Sequence, residues 1–196
     1  MKKLVLCFGA SLTEGFVGPG LRNRFEPYTN RLGELLGNSY EVLNYGLSGE
    51  NSASMVIRLP LLLDCAVNFE CVFILGGTND LNIETDCSIA NNLKKLHDLC
   101  ALHGVRSFAL SIPEVVGPNG LFQNVKRINV NKALEDYASV QTNMTFIDWA
   151  SNLPNTWQVG GDQNDNWSDN LHLTGQGYNK MAEIIFKECN KKGFFL

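Results

Sequence analysis

Short apolar runs recur along the chain, separated by stretches where apolar residues return every three or four positions. The run LVLCF at 4–8 is unbroken and is closed by Gly9. Further short runs lie at 41–45 (EVLNY), 70–75 (ECVFIL), 105–112 (VRSFALSI) and 144–147. Runs of this length that end in Gly or Pro predict strands, and the unbroken ones predict strands buried on both faces. Between them lie helical stripes. Tyr28, Leu32, Leu35 and Leu36 follow Pro27 and stop at Gly37 and Asn38. Residues 54–66 are apolar on most sides, and Pro60 is expected to kink or restart that helix. Residues 86–103 carry Ile89, Leu93, Leu96, Leu99, Cys100 and Leu102 on one side, ending at Gly104. Residues 125–140 turn Ile128, Leu134 and Tyr137 inward, and 174–192 turn Tyr178, Met181, Ile184 and Ile185 inward.

Strands therefore alternate with helices from end to end. That order predicts βαβ units, hence an α/β fold with a parallel sheet and helices on both faces. The chain has 196 residues and no internal repeat, linker or low-complexity segment, so one domain over 1–196 is expected.

Composition narrows the function. A net charge of −4 leaves no basic surplus to replace phosphate counterions, which argues against a nucleic-acid partner. No apolar run is long enough to span a bilayer. Lys2 and Lys3 precede an apolar run, but it is too short for a signal peptide and glycine breaks it at once. The six cysteines form no CxxC pair and no zinc spacing. Most lie in apolar, periodic segments, so a reduced, cytoplasmic protein is expected, with no metal. In such a compartment the sequons at Asn143 and Asn166 carry no glycan.

Candidate chemistry collects at strand ends. Ser11 sits just past the carboxyl end of the first run, where open α/β sheets bind ligands. It reads either as a nucleophile or as the cap of the next helix. Loops 9–12, 46–51, 76–80 and 169–172 all fall on that same sheet edge. A serine nucleophile needs a histidine to take its proton, a carboxylate to orient that histidine, and donors for the oxyanion. Of three histidines, His97 and His103 fall within or at the end of a helix, away from this edge, and read as solvated or helix-end residues. His172 follows Asp169 by three positions in a turn-rich loop. That pair reads either as a base with its orienting carboxylate or as a capping loop with a surface histidine.

FGASLTEGF, NYGLSGENSA, GGTND and DNLHLTGQGY, in this order, resemble the four motif blocks of the SGNH (GDSL-like) hydrolases. The resemblance runs from about Leu4 to about Tyr178. It implies a flavodoxin-like, three-layer αβα sandwich around a parallel sheet of about five strands. It also implies a serine esterase acting through an acyl-serine, with no cofactor. Ser11 matches the nucleophile, His172 the base and Asp169 the carboxylate. The N–H groups of Ser11 and Gly49 and the side-chain amide of Asn79 match the oxyanion donors. Glycine lets backbone approach a ligand, and an asparagine amide donates without titrating. Ala10 departs from the family, which has aspartate there, and this puts the bracing of nearby loops in doubt. Thr78 interrupts the usual glycine–asparagine pattern. Asp80 reads as structural, because a carboxylate beside the oxyanion must be turned away and paired.

The expected substrate is a small ester with a short acyl group, chiefly acetyl, with an acylated carbohydrate as the candidate. Phe16, Trp157 and Trp167 are the candidate substrate-binding aromatics, with Phe25 and Phe122 also in the cleft loops. Other readings remain open from sequence. The same fold could be a non-catalytic carbohydrate- or partner-binding module, or a lysophospholipase or thioesterase-type acylhydrolase. A nucleotide-binding flavodoxin-type domain shares the architecture, but GASLTEG lacks the P-loop lysine and the dinucleotide spacing.

Overall fold

The computed structural model describes residues 2–18, 24–65, 67–158 and 165–195. Five strands form one sheet: β1 (Lys3–Gly9), β2 (Tyr40–Gly46), β3 (Phe69–Leu75), β4 (Arg106–Leu110) and β5 (Met144–Ile147). All adjacent pairs are parallel, in the order β2-β1-β3-β4-β5. The chain first winds from β1 out to β2, then returns past β1 to β3. The crevice between β1 and β3 is therefore the switch point at which doubly wound sheets bind ligands.

The helices are α1 (Ser11–Glu14), α2 (Tyr28–Leu36), α3 (Ser52–Leu63), α4 (Asp86–Leu102), α5 (Gly120–Ser139) and α6 (Gly175–Lys191). Alternate strand residues face two separate cores. Val5, Cys7, Phe73 and Phe108 pack with Tyr28, Leu32, Tyr178, Met181 and Ile185, which places α2 and α6 on one face. Leu6, Phe8, Val72 and Ile74 pack with Met55, Leu59, Ile89, Leu93, Val130 and Leu134, which places α3, α4 and α5 on the other. The result is the three-layer αβα sandwich expected, flavodoxin-like in strand order.

β1 is the best-buried part of this frame. Val5, Leu6, Cys7 and Phe8 have no exposed surface. Each large side chain among them contributes about 1.5–3 kcal/mol by burial. The strand that delivers Ser11 is thus held from both faces and by a neighbour on each side.

Several sequence expectations change in detail. α3 begins at Ser52, earlier than expected, and continues through Pro60 without breaking. Ala66, expected to end it, lies outside the described residues, as do 19–23 and 159–164 within the expected loops. β4 is shorter than the 105–112 run. α5 starts at Gly120 rather than near 125, and Ile128 is exposed, not inward. Val130 and Leu134, one turn apart, set the buried face of that helix, and Ile128 falls off it. Leu102 is exposed because α4 ends there. His97 is not solvated: it is buried, and its Nδ1 lies 2.8 Å from the Ser107 hydroxyl near the start of β4. Burial pushes its pKa down to about 3, so the ring is neutral there.

Cys7, Cys71, Cys100 and Cys189 are buried, Cys65 and Cys87 are exposed, and all six are free. Among the described residues no helix is long and apolar enough to cross a membrane.

Candidate active site

The site is assembled from the loops that follow β1, β2 and β3 and from the loop before α6. Ser11 opens α1 directly after β1, and its carbonyl accepts the N–H groups of Gly15 and Phe16 at 2.9 and 3.0 Å. Those bonds fix a tight turn behind the hydroxyl. β2 must pass against this turn, and a Cβ on Gly46 would lie 2.0 Å from the Glu14 backbone nitrogen, so only glycine fits.

The loop before α6 carries Asp169 and His172. Asp169 Oδ1 accepts the backbone N–H groups of Leu171 (2.8 Å) and His172 (2.6 Å). Its Oδ2 lies 2.8 Å from His172 Nδ1. The carboxylate thus closes its own turn and binds the ring of the residue three positions on. His172 Nε2 lies 3.1 Å from Ser11 Oγ. With Nδ1–H donating to Asp169, Nε2 is left to accept the serine hydroxyl. Burial works to raise the Asp169 pKa. The hydrogen bonds from the His172 ring and backbone, the charge of that ring and the Leu171 N–H outweigh it, leaving the carboxyl below its ordinary range.

This loop is stitched to the rest of the sheet edge. Ser168 Oγ donates to the His172 carbonyl at 3.0 Å. Val116 N–H donates to the Asn170 carbonyl at 3.0 Å, and Asn155 Nδ2 donates to that carbonyl (3.0 Å) and to Glu114 (3.2 Å). The loop after β4, through Glu114 and Val116, and the first part of the connection from β5 to α6, through Asn155, therefore set the position of the imidazole carried further along that connection.

The expected oxyanion donors lie in the loops that follow β2 and β3. Gly49 is exposed and has φ +80°, a conformation that side-chain-bearing residues rarely adopt. Asn79 lies in a short 3-10 turn, Thr78–Asp80, after β3, and its Nδ2 donates to the Glu50 carbonyl at 2.8 Å. Asp80 is 1% exposed and turned away. Both of its oxygens accept the Ser52 N–H at 3.0 Å, and Oδ1 also accepts the Ser52 hydroxyl at 2.7 Å. Asn92 donates to that hydroxyl in turn, at 3.0 Å.

The aromatic candidates separate. Phe16 stands edge-on to the His172 ring, centroids 4.8 Å apart at 73°, and Phe25 packs against Phe16 at 5.9 Å. Trp167 does not line the site. It is fully buried, part of the core under α6, and its indole N–H donates to the Pro154 carbonyl. An indole so placed has no surface for a substrate. Trp157 is half-buried against the same core. Phe122 is exposed on the first turn of α5.

Three bracing groups were not legible in the sequence. Glu14 Oε2 accepts the Ser48 N–H at 2.9 Å and also the Ser48 hydroxyl, tying α1 to the loop that holds Gly49. Asn155 is the stitch just described. Glu50 is a buried carboxylate paired with Arg58. No local pattern announces any of them, since each partner is distant in sequence or reads as surface charge. Among the described residues, no group of three His, Cys, Asp or Glu side chains is placed to hold a metal ion.

Comparison with known proteins bears on the fold and the family. No curated protein matches the chain closely enough to count as a relative. Solved structures share the fold. The aryl esterase of M. smegmatis superposes with a TM-score of 0.78 at 21% identity, over 96% of this chain and 99% of that one. Est24, a carbohydrate acetylesterase from Sinorhizobium meliloti, gives 0.76 at 23% identity, over 97% and 100%. A member of the lipolytic G-D-S-L family from Veillonella parvula gives 0.78 at 21%, over 94% and 97%. The GDSL-like Lipase/Acylhydrolase family model matches residues 7–180, and across that span the chain belongs to this family.

Proposed function

We propose that the chain is a serine esterase that hydrolyses short acyl esters, chiefly acetyl esters, through an acyl-serine. The observation that carries this reading is the unbroken line from Asp169 Oδ2 through His172 to Ser11 Oγ, with steps of 2.8 and 3.1 Å. Ser11 Oγ attacks the ester carbonyl carbon while His172 Nε2 takes its proton. Asp169 holds the ring in the required tautomer and offsets the imidazolium charge. The N–H groups of Ser11 and Gly49 and the Asn79 amide receive the oxyanion. His172 then returns its proton to the leaving alcohol, and the ester C–O bond breaks. A water attacks the acyl-serine, gives a proton to His172, and releases the acid as Ser11 recovers its hydrogen.

Phe16 beside the imidazole narrows the space next to the reacting carbon, which favours a small acyl group. The carbohydrate acetylesterase and aryl esterase among the structural neighbours agree with an acetyl ester of a sugar or of an aromatic alcohol. The test is a panel of p-nitrophenyl esters from acetyl to octanoyl, run on the wild type and on Ser11→Ala, with a fluorophosphonate probe alongside. Activity is expected to fall steeply with acyl length and to vanish, with probe labelling, in Ser11→Ala. A preference for octanoyl would favour the lysophospholipase or thioesterase type. Full activity in Ser11→Ala would end the assignment.

A further inference from the structure

Asn79 can receive an oxyanion only if its amide is held. The torsion that turns an asparagine amide is soft and roughly two-fold, so something outside the residue must fix it. Here one amide hydrogen is spent on the Glu50 carbonyl at 2.8 Å. The second hydrogen of the same NH2 is then aimed by the position of that carbonyl. Glu50 also directly follows Gly49, so one residue governs both donors that Ser11 does not itself supply.

The Glu50 side chain has only 4% of its surface exposed and is gripped by Arg58 of α3. Arg58 Nε donates to Glu50 Oε1 at 2.7 Å, and Nη2 donates to Oε2, a two-pronged match of guanidinium to carboxylate. The same guanidinium reaches the ends of two strands. Nη1 and Nη2 donate to the Tyr45 carbonyl at 3.2 Å, and Nη2 to the Gly9 carbonyl at 3.3 Å. Its central carbon lies 4.1 Å from the centre of the Phe8 ring, which is fully buried in β1. Gly9 precedes Ala10, the position where the family's bracing aspartate is missing.

We infer that Arg58 and Glu50 form a clamp that sets Asn79 and Gly49 against the carboxyl ends of β1 and β2, making Arg58 a positioning residue for the oxyanion donors. This rests on the esterase reading above for its effect on rate, but not for its effect on the Asn79 amide. Arg58 has a second task. A buried carboxylate one residue from Gly49 would oppose the developing negative charge, and the guanidinium neutralises it. Lysine could not do the same work, since it offers a point charge rather than a planar fork.

The test uses Arg58→Met, Arg58→Lys, Glu50→Gln, Asn79→Ala and the double variant Arg58→Met/Asn79→Ala. The first readout is the side-chain NH2 pair of Asn79 in a 15N-resolved NMR spectrum, assigned by its loss in Asn79→Ala. Arg58→Met is expected to move this pair toward the solvated position and speed its exchange with water, while the Asn155 pair stays put. The second readout is turnover of p-nitrophenyl acetate. Arg58→Met should lower kcat by about tenfold to a hundredfold with KM within about threefold, the pattern of a lost transition-state interaction. Glu50→Gln should show a smaller loss, and Arg58→Lys should recover only part of the rate. In the Asn79→Ala background the Arg58→Met effect should shrink but not vanish, because the Asn79 share is already gone while Gly49 and the unpaired Glu50 carboxylate are still affected. A merely structural role would lower stability and multiply through in both backgrounds. If Arg58→Met does not fold, Arg58→Lys and Glu50→Gln carry the same two readouts. An unmoved Asn79 pair, or a full multiplicative loss in the double variant, overturns the clamp. A wild type without esterase activity overturns the proposed reaction alone, and the NMR arm still decides the clamp.

Discussion

The Phe16 ring meets the His172 imidazole edge-on, with centroids 4.8 Å apart, and its own backbone carbonyl is pinned by the Tyr178 hydroxyl at 2.7 Å. One residue of the first motif loop is thus fastened to the last helix and forms a wall for the ring. Phe16→Ala should open that wall. With p-nitrophenyl acetate, kcat/KM is expected to fall by about tenfold, and the preference for acetyl over butyryl esters should weaken. Steady-state kinetics on the two esters measures both. An unchanged acyl preference would remove Phe16 from the acyl pocket.

Asn79→Ala removes one of the three expected oxyanion donors. Turnover should drop by about 10²–10³ with little change in KM, since the lost bond strengthens only as the carbonyl oxygen becomes charged. Single-turnover kinetics distinguishes this from a folding defect. A rise in KM at constant kcat would place Asn79 in ground-state binding instead.

Asn155 is nearly buried and gives both amide hydrogens to carbonyls, one of them on Asn170 beside Asp169. Asn155→Ala leaves two carbonyls without this donor and should cost about 1–3 kcal/mol of stability. It should also lower kcat, because the histidine loop loses its tie to the loop after β4. Urea unfolding and kinetics on the same sample test the two effects together.

His97 makes stability depend on pH. Its ordinary pKa of 6.5 falls to about 3 on burial. Between those values the unfolded chain binds a proton that the folded chain does not, so stability rises with pH there. Read downward, stability is lost progressively as pH falls from about 6.5 toward about 3, and this contribution is constant above that window. His97→Gln can still reach the Ser107 hydroxyl but does not titrate. The difference in urea midpoint between wild type and variant should therefore change across this window and be flat above it.

Much of the fold was readable from pattern because β1 and β3 are buried on both faces, and unbroken apolar runs have few other uses in a chain of this kind. The start of α5 was not readable. Its Asn119 makes no side-chain cap, and Leu121 and Phe122 point outward, so the first turn shows no inward stripe. The candidate site divides the same way. Ser11, Gly49, Asn79, Asp169 and His172 could be proposed because each sits in a motif loop at a strand or helix end. Trp167 was misplaced because burial cannot be read from an irregular stretch. Arg58 and Glu50 were invisible for another reason. Two opposite charges eight residues apart look like solvent-facing groups until β1 and β2 are laid beside them.

The hydroxyl and the imidazole that share a 3.1 Å contact are separated by most of the polypeptide. During synthesis the serine-bearing turn leaves the ribosome early, whereas the ring that would take its proton leaves late and needs α6 docked behind it. A nascent chain therefore holds an inert alcohol until His172 and the helix behind it have been made. Ester cleavage by a growing polypeptide would report completion of the whole sandwich, and premature release anywhere before the last helix should yield chemically silent fragments.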